Sequence, residues 1–445
     1  MKKYIKVKKS TSDLTMDFVL PQECMRFMFL PMIGWNSVNY YYLLDFKKKL
    51  ISCWEVDTKE LCSYLKEHIN MDDIDNIPWN KGLDSYLEAI NAIHSARFYN
   101  DKVYLYSNNS KFALVFNIND DSYEVIDSNP DSDEIYVISS TNDIYNNCMY
   151  YSRWKLSDVF QYTKLDYISV DICKLNLNNN DLQVIDTVKG MHDIHTTTIT
   201  PDGKKIILVQ MNRDPNVPFP KDDNDKIKET MLKILDGGTK DSTILVYDLE
   251  SRTYETQQLK YSPAHIEYDQ LDSNYFYLSR HNTCLDNNVN RCFGKASIDK
   301  IRIENNSNKI DFISTFERDD FIRIPEHTTF VYGGKSFVAA SAYPNQLYII
   351  DADTMKLVKS VYTRETGKKD DFSNGPFAYP IIDRTPYGVN PINNSPYILL
   401  TNTKNITIYD FVKEEQVGTI SYNFNNKAFF VMGHCRSYGN CNEEV

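Results

Sequence analysis

The sequence predicts an all-β fold built from seven similar four-stranded units. A strand ending in Asp or Asn recurs seven times in the 445 residues, and apolar strand pairs precede the copies. The 32 Tyr and 22 Phe favour strands over helices. Repeats of this size with four strands each are the signature of a β-propeller, in which each unit is one blade. We therefore predict a seven-bladed β-propeller with helical insertions, a single domain over residues 1–445.

The recurring strand is the third strand of each predicted blade. An Asp or Asn at its end can accept backbone N–H bonds and set the following turn. The seven copies lie 51 to 77 residues apart and end at Asp45, Asn117, Asp171, Asp248, Asp299, Asp351 and Asp410.

The clearest copy lies in blade 4. There, TTTITPDGKKIILV has Pro-Asp-Gly between two apolar runs, which predicts a hairpin. Together, ITPDGKKIIL and ILVYD make this unit similar to WD-repeat and related propeller blades. That resemblance implies an architecture and no particular activity.

Ring closure and two insertions interrupt the regular pattern. Blade 1 is predicted to run from about residue 21 to 56, and its first strand comes either from DFVL at 17–20 or from AFFVM at 428–432. Residues 57–92 form a helical insertion between blades 1 and 2, because their apolar positions recur at helical spacing. Residues 211–240 form a lid-like insertion in blade 4, since long excursions from a compact fold are commonly functional.

Half of the eight histidines share one spacing relative to the predicted blades. Eleven residues after each comes the middle of an apolar strand, at Leu105, Ile206, Phe276 and Val338. In a propeller this count leads back to the start of the innermost strand, and these starts surround one mouth of the central channel. The four histidines are His94, His195, His265 and His327, in blades 2, 4, 5 and 6.

The same mouth is predicted to collect other residues. Gln22, Ser139 and Tyr387 occupy the equivalent position in blades 1, 3 and 7. The rim and lid would add His192, His281, Asn212 and Arg213.

Converging neutral imidazoles without paired carboxylates favour a first-row transition metal. Each imidazole needs an acceptor that fixes its tautomer, and Glu267, Asp269 and Glu326 are predicted to accept the hydrogen of the imidazole nitrogen that does not bind the metal. The arrangement resembles the carotenoid-oxygenase type of seven-bladed propeller, in which four histidines hold ferrous iron on the axis. This resemblance implies Fe(II), with other first-row metals as alternatives. It also implies a fourth ligand near the C-terminus, where His434 could replace His94.

The composition of the chain argues against two kinds of partner and indicates a cellular compartment. A net charge of −12 argues against nucleic acid, and no stretch is long and apolar enough for a membrane span. Nine scattered cysteines and the absence of a secretory signal favour a cytoplasmic protein.

Three functions follow from these observations. The leading hypothesis is a metal-dependent oxidoreductase, oxygenase-like, acting on a small or apolar substrate in the axial channel. The alternative is a non-catalytic propeller that binds a protein or peptide. A metal-free hydrolase or lactonase ranks last, because the mouth positions offer no carboxylates.

Overall fold

The protein is a seven-bladed β-propeller in the computed structural model. The structure describes residues 2–21, 26–29, 31–32, 37–69, 87, 93–107, 111–120, 122–129, 134–139, 141–159, 169–191, 194–210, 242–259, 263–280, 283–285, 291–293, 296–304, 306–318, 323–343, 346–362, 389–401, 405–421, 430–431 and 437–438. In every blade the strands are counted outward from the axis, so that the first strand is the innermost.

Blades 2, 4, 5 and 6 are antiparallel sheets whose four strands pair in chain order. Blade 2 comprises Ile93–Tyr99, Lys102–Ser107, Phe112–Asn117 and Tyr123–Asp127; blade 4 comprises Ile194–Ile199, Lys205–Gln210, Ser242–Asp248 and Thr253–Leu259. Blade 5 comprises Pro263–Tyr268, Tyr275–Arg280, Ala296–Ile303 and Ile310–Arg318, and blade 6 comprises Arg323–Tyr332, Lys335–Tyr343, Gln346–Asp351 and Lys356–Tyr362.

Blade 3 has a first strand in two pieces. Tyr136–Ile138 and Asp143–Tyr145 both pair with the second strand, Cys148–Lys155, and Ser169–Asn176 and Leu182–Lys189 complete the sheet. The break lets Thr141 form a parallel bridge with Thr196 of blade 4.

Blades 1 and 7 each carry a fifth strand on the outside. Blade 7 comprises Val389–Pro391, Tyr397–Thr401, Asn405–Asp410 and Glu415–Ser421, and Thr15–Met16 covers its outer edge. Blade 1 comprises Ser437–Tyr438, Arg26–Phe29, Val38–Asp45 and Leu50–Asp57, and Lys6–Asp13 covers its outer edge.

Ring closure uses a strand outside both predicted sources. Ser437–Tyr438 takes the first position of blade 1 by pairing with Arg26 and Phe27. Of the two predicted runs, residues 17–20 lie outside any strand, and Phe430–Val431 pairs with Pro31–Met32 in a separate two-stranded sheet.

A short hairpin and several helical segments lie outside the seven blades. Thr283–Leu285 pairs with Arg291–Phe293 between the second and third strands of blade 5. Helix α1, Lys59–His68, lies in the predicted helical insertion and buries Leu61 and Leu65. Among the described residues, Lys2–Tyr4 and Leu156–Val159 are short helical segments and Leu87 is also helical. The predicted lid, 211–240, lies outside the described residues.

The acidic or amide residue ends the third strand in five of the seven predicted copies. Asp248, for example, accepts the backbone N–H groups of Glu250 and Ser251 at 3.0 and 2.7 Å. In blades 3 and 5 the strand continues past the predicted end, to Asn176 and Ile303. There the mid-strand Asp171 and Asp299 instead accept hydroxyl hydrogens from the outer strand, from Thr187 at 2.8 Å and Thr315 at 2.6 Å.

The core lies between adjacent blades. Every residue of Lys205–Gln210 in blade 4 is buried, as expected for a strand covered on both faces. Between blades 1 and 2, Trp54 stacks on Phe116 with ring centroids 4.7 Å apart. Burial of each such side chain contributes about 1.5–3 kcal/mol. On the inside, the first strands of consecutive blades contact one another from blade 2 to blade 7.

Candidate functional site

The four predicted ligands lie on first strands but at unequal depths. His94 and His195 are the second residues of their strands, His265 is the third, and His327 is the fifth of ten. The inner hairpins differ in length, so the spacing of eleven residues corresponds to different pairings. Leu105 pairs with Ala96, two residues after His94, whereas Ile206 pairs with Ile199, four residues after His195. The common spacing therefore does not define one structural position.

A β-bulge shapes the start of the first strand in blade 4. Ile194 pairs with Gln210 and Thr196 pairs with Val209, so His195 is the extra residue. Blade 2 has the same irregularity at His94, between Ile93 and Ser95. Bulges often occur next to active sites, because they redirect a side chain.

His195 and His265 meet across the interface between blades 4 and 5. Their ring centroids are 4.6 Å apart and the rings are inclined by 71°, an edge-on arrangement. His265 is buried and His195 is half-buried. The backbone N–H of His265 donates to the Ser279 hydroxyl at 3.2 Å, which ties it to the second strand of its own blade. Two of the four predicted ligands are thus brought together.

Blade 3 holds His195 from the other side. The Thr141 N–H donates to the His195 carbonyl at 3.0 Å, and the Thr197 N–H donates to the Thr141 carbonyl at 2.9 Å. These two bonds form the parallel bridge between blades 3 and 4. They fix the backbone on either side of the bulge and therefore the direction of the His195 Cα–Cβ bond.

A buried hydroxyl network lies behind this bridge. The Thr197 hydroxyl is 2.8 Å from that of Ser139 and 2.9 Å from that of Ser152. Ser139 also bonds the Asn142 side-chain oxygen, and all four side chains are fully buried. Ser139 was the predicted blade-3 counterpart of the histidines, and its hydroxyl here joins blade 3 to blade 4.

His327 makes a different contact. Its Nε2 atom lies 2.9 Å from the carbonyl oxygen of Tyr277 in blade 5. A carbonyl can only accept, so Nε2 carries the hydrogen, and this nitrogen holds blade 6 against blade 5. The ring is buried.

The predicted acceptor Asp269 is used by its own turn. One carboxylate oxygen accepts the N–H groups of Leu271 and Asp272 at 2.8 and 3.2 Å, and the other accepts the Tyr277 hydroxyl at 2.6 Å. Burial and this bond raise the pKa of Tyr277. These bonds give Asp269 a role at the inner hairpin of blade 5 rather than beside His265. Glu267 lies on the first strand two residues after His265.

The other predicted site residues lie outside the described side chains. They are His94, His192, His281, His434, Gln22, Tyr387, Asn212, Arg213 and Glu326. Within the part of the chain that the structure describes, no three His, Cys, Asp or Glu residues form a group able to hold a metal ion.

A polar contact between three blades was not predicted from the sequence. Asp143 in blade 3 accepts the Thr198 hydroxyl of blade 4 at 2.7 Å and lies 3.9 Å from Nε of the buried Arg97 in blade 2. Arg97 and Asp143 lie in the first strands of different blades, so no local pattern in the sequence indicates this contact.

Comparisons with known proteins add no family to this picture. No protein-family model matches the sequence, and no curated protein matches it. In the described residues, no helix is long and apolar enough to cross a membrane.

Proposed function

We propose that the protein is a metal-dependent propeller enzyme whose metal ion is held at the axial mouth by His195 and His265. The observation that supports this proposal is the contact of the two imidazole rings at 4.6 Å. Ligands of one ion must lie close together, since metal–nitrogen bonds are about 2.1 Å long. The bulge at His195 and the bridge from Thr141 hold the backbone of the first of the two residues.

The donor set fits a first-row transition metal in part. Two imidazole nitrogens are suitable donors for iron, copper, zinc or nickel. His94 or His434 would supply further ligands under this proposal. The predicted arrangement of four histidines in a seven-bladed propeller, which resembles that of carotenoid oxygenases, favours Fe(II) and oxygenase-like chemistry on a small or apolar substrate. The bound ion would supply Lewis acidity and an open position for a small ligand such as O2.

Metal analysis of the purified protein tests the proposal. The protein is expressed with iron, copper, manganese and zinc supplied, and the bound metal is counted for wild type, His195→Ala and His265→Ala. We expect about one ion per wild-type chain and at least tenfold less bound metal in both variants.

His68→Ala is the matched control, because His68 lies on the outer helix α1 beside Tyr64. It should retain the metal. Sub-stoichiometric metal in the wild type, or equal metal in all variants, would contradict the proposal.

A second candidate is a non-catalytic propeller that binds a protein or peptide. Two observations favour it. His327 and Ser139, two of the residues predicted at the channel mouth, form hydrogen bonds between blades. On the outer strand of blade 5, the adjacent residues Phe312 and Ile313 are 41% and 46% exposed. This candidate predicts a partner that dissociates from Phe312→Asp and Ile313→Asp but is retained by His195→Ala. The reverse result would favour the metal site.

A further inference from the structure

The N-terminal strap, residues 2–18, runs along the outside of three blades. Lys6–Asp13 pairs with all eight residues of Leu50–Asp57 in blade 1. The chain then turns at the buried Leu14, and Thr15 and Met16 pair with Ser421 and Ile420 of blade 7. One continuous segment therefore joins the two blades between which the ring closes.

The blade 7 end of the strap is closely fitted. The Asp17 carboxylate accepts the N–H of Thr419, and Phe18 packs on Tyr397 with ring centroids 5.1 Å apart. A Cβ atom added to Gly418 would lie 2.4 Å from the Cβ of Phe18, so this strand can approach the strap only because the residue is glycine.

The other end reaches blade 2 and helix α1. Lys2 donates to the Tyr123 carbonyl at 2.9 Å, and Lys9 donates to the Asp120 carbonyl at 3.2 Å. Lys6 pairs with Glu60 of α1 at 2.6 Å. The basic cluster at the start of this acidic chain thus binds neighbouring blades of the same molecule.

The inner closure, by contrast, is short within the described residues. Arg26 and Phe27 pair with Tyr438 and Ser437, and two further pairs join Phe430 and Val431 to Met32 and Pro31. The outer strap contributes eight pairs in blade 1 and two in blade 7. The side chains of Lys6–Asp13 are exposed or half-buried, so this strand is held mainly by backbone bonds.

We propose that the N-terminal strap is the latch of the ring. While it is bound, blades 7 and 1 stay together. Its release opens the propeller at the interface of blades 7 and 1, the seam of the ring. Because backbone bonds at an exposed edge open locally more easily than core strands, the seam is the point at which the closed ring would yield. This inference is independent of the metal site.

Amide hydrogen exchange of the full-length protein tests the latch. Leu14→Asn places a polar group at the buried turn between blades 1 and 7, and Val19→Asn is the matched control because Val19 is 88% exposed just beyond the strap. We expect at least tenfold faster exchange in Val38–Asp45 and Asn405–Asp410, which do not pair with the strap. Lys205–Gln210 and Tyr275–Arg280 should keep wild-type rates.

A variant that lacks residues 2–13 should show a larger increase of exchange in the same strands of blades 1 and 7, again without a change in blades 4 and 5. Unchanged exchange at the seam in Leu14→Asn, or equal acceleration in blades 4 and 5, would overturn the proposal. If the truncated chain does not fold, the pair Leu14→Asn and Val19→Asn decides the question.

Discussion

Two interfaces between blades use predicted histidines in opposite ways. At the interface of blades 4 and 5, the rings of His195 and His265 contact each other. At the interface of blades 5 and 6, the ring of His327 donates to the Tyr277 carbonyl. The first interface turns two imidazoles towards each other, and the second uses one imidazole as a cross-link to backbone.

The cause of this difference lies in the strands. His195 is the extra residue of a bulge close to its strand start, where the chain can redirect a side chain. His327 pairs regularly with Ala340, beyond the irregularity between Arg323 and Glu326. Similar spacing in the sequence therefore produced two arrangements, one in which an imidazole faces another imidazole and one in which it bonds a backbone carbonyl.

The largest expected effect is at His327. His327→Ala removes a buried ring and its hydrogen bond and should lower the free energy of unfolding by about 3 kcal/mol. His195→Ala, at a half-buried position, should cost less than about 1 kcal/mol. Urea unfolding of both variants measures the difference.

His327→Gln serves as the conservative control, because its amide can still donate to a carbonyl. It should recover part of the loss. Equal costs for His327→Ala and His195→Ala would remove the distinction between the two interfaces.

The next largest loss of stability is expected in the buried hydroxyl network beside His195. Thr197→Val keeps the shape of the side chain but leaves the Ser139 and Ser152 hydroxyls without this partner, at a cost of about 2 kcal/mol. Thr256→Val on the exposed outer strand of blade 4 is the control and should be nearly neutral. Thermal or urea unfolding reports the costs. A neutral Thr197→Val would show that the bridge between blades 3 and 4 does not depend on the hydroxyls.

The smallest expected loss of stability is at Asp248, in the turn after the third strand of blade 4. Hydrogen bonds from Ser251 and Glu250 lower the pKa of Asp248. The stabilisation is therefore complete above the ordinary carboxyl pKa of about 4 and is lost as the pH falls through the lower folded value. Asp248→Asn should cost about 1 kcal/mol at pH 7 and progressively less in acid.

Unfolding titrations between pH 7 and pH 2 measure this dependence. Asp181→Asn, at an exposed position, should follow the wild type. A cost for Asp248→Asn that stays constant with pH would contradict the proposed charge-assisted turn.

Much of the fold was predictable because local patterns recur. The hairpin at Pro-Asp-Gly forms as predicted, with Gly203 at φ +72° and its N–H donating to the Thr200 carbonyl at 2.8 Å. Asp45, Asn117, Asp248, Asp351 and Asp410 end third strands because an acceptor at that point bonds the turn. Asp171 and Asp299 could not be distinguished from them, since the length of a strand depends on its neighbours.

The site was less predictable. The sequence indicated that histidines begin first strands, and His195 and His265 do come together. Three contacts join residues of different blades. They are the hydrogen bond of His327 to Tyr277, the bridge from Thr141 to the strand of His195, and the contact between Arg97 and Asp143. No local pattern encodes such pairs.

The sequence by itself determined the number of blades, their strands and their turns, because these depend on apolar alternation and turn chemistry within a few residues. The tertiary structure alone decided how deep each histidine lies, which strand closes blade 1 and where the N-terminal lysines bind. Those outcomes depend on hairpin length, bulges and packing between blades, which place residues far apart in the chain within hydrogen-bonding distance.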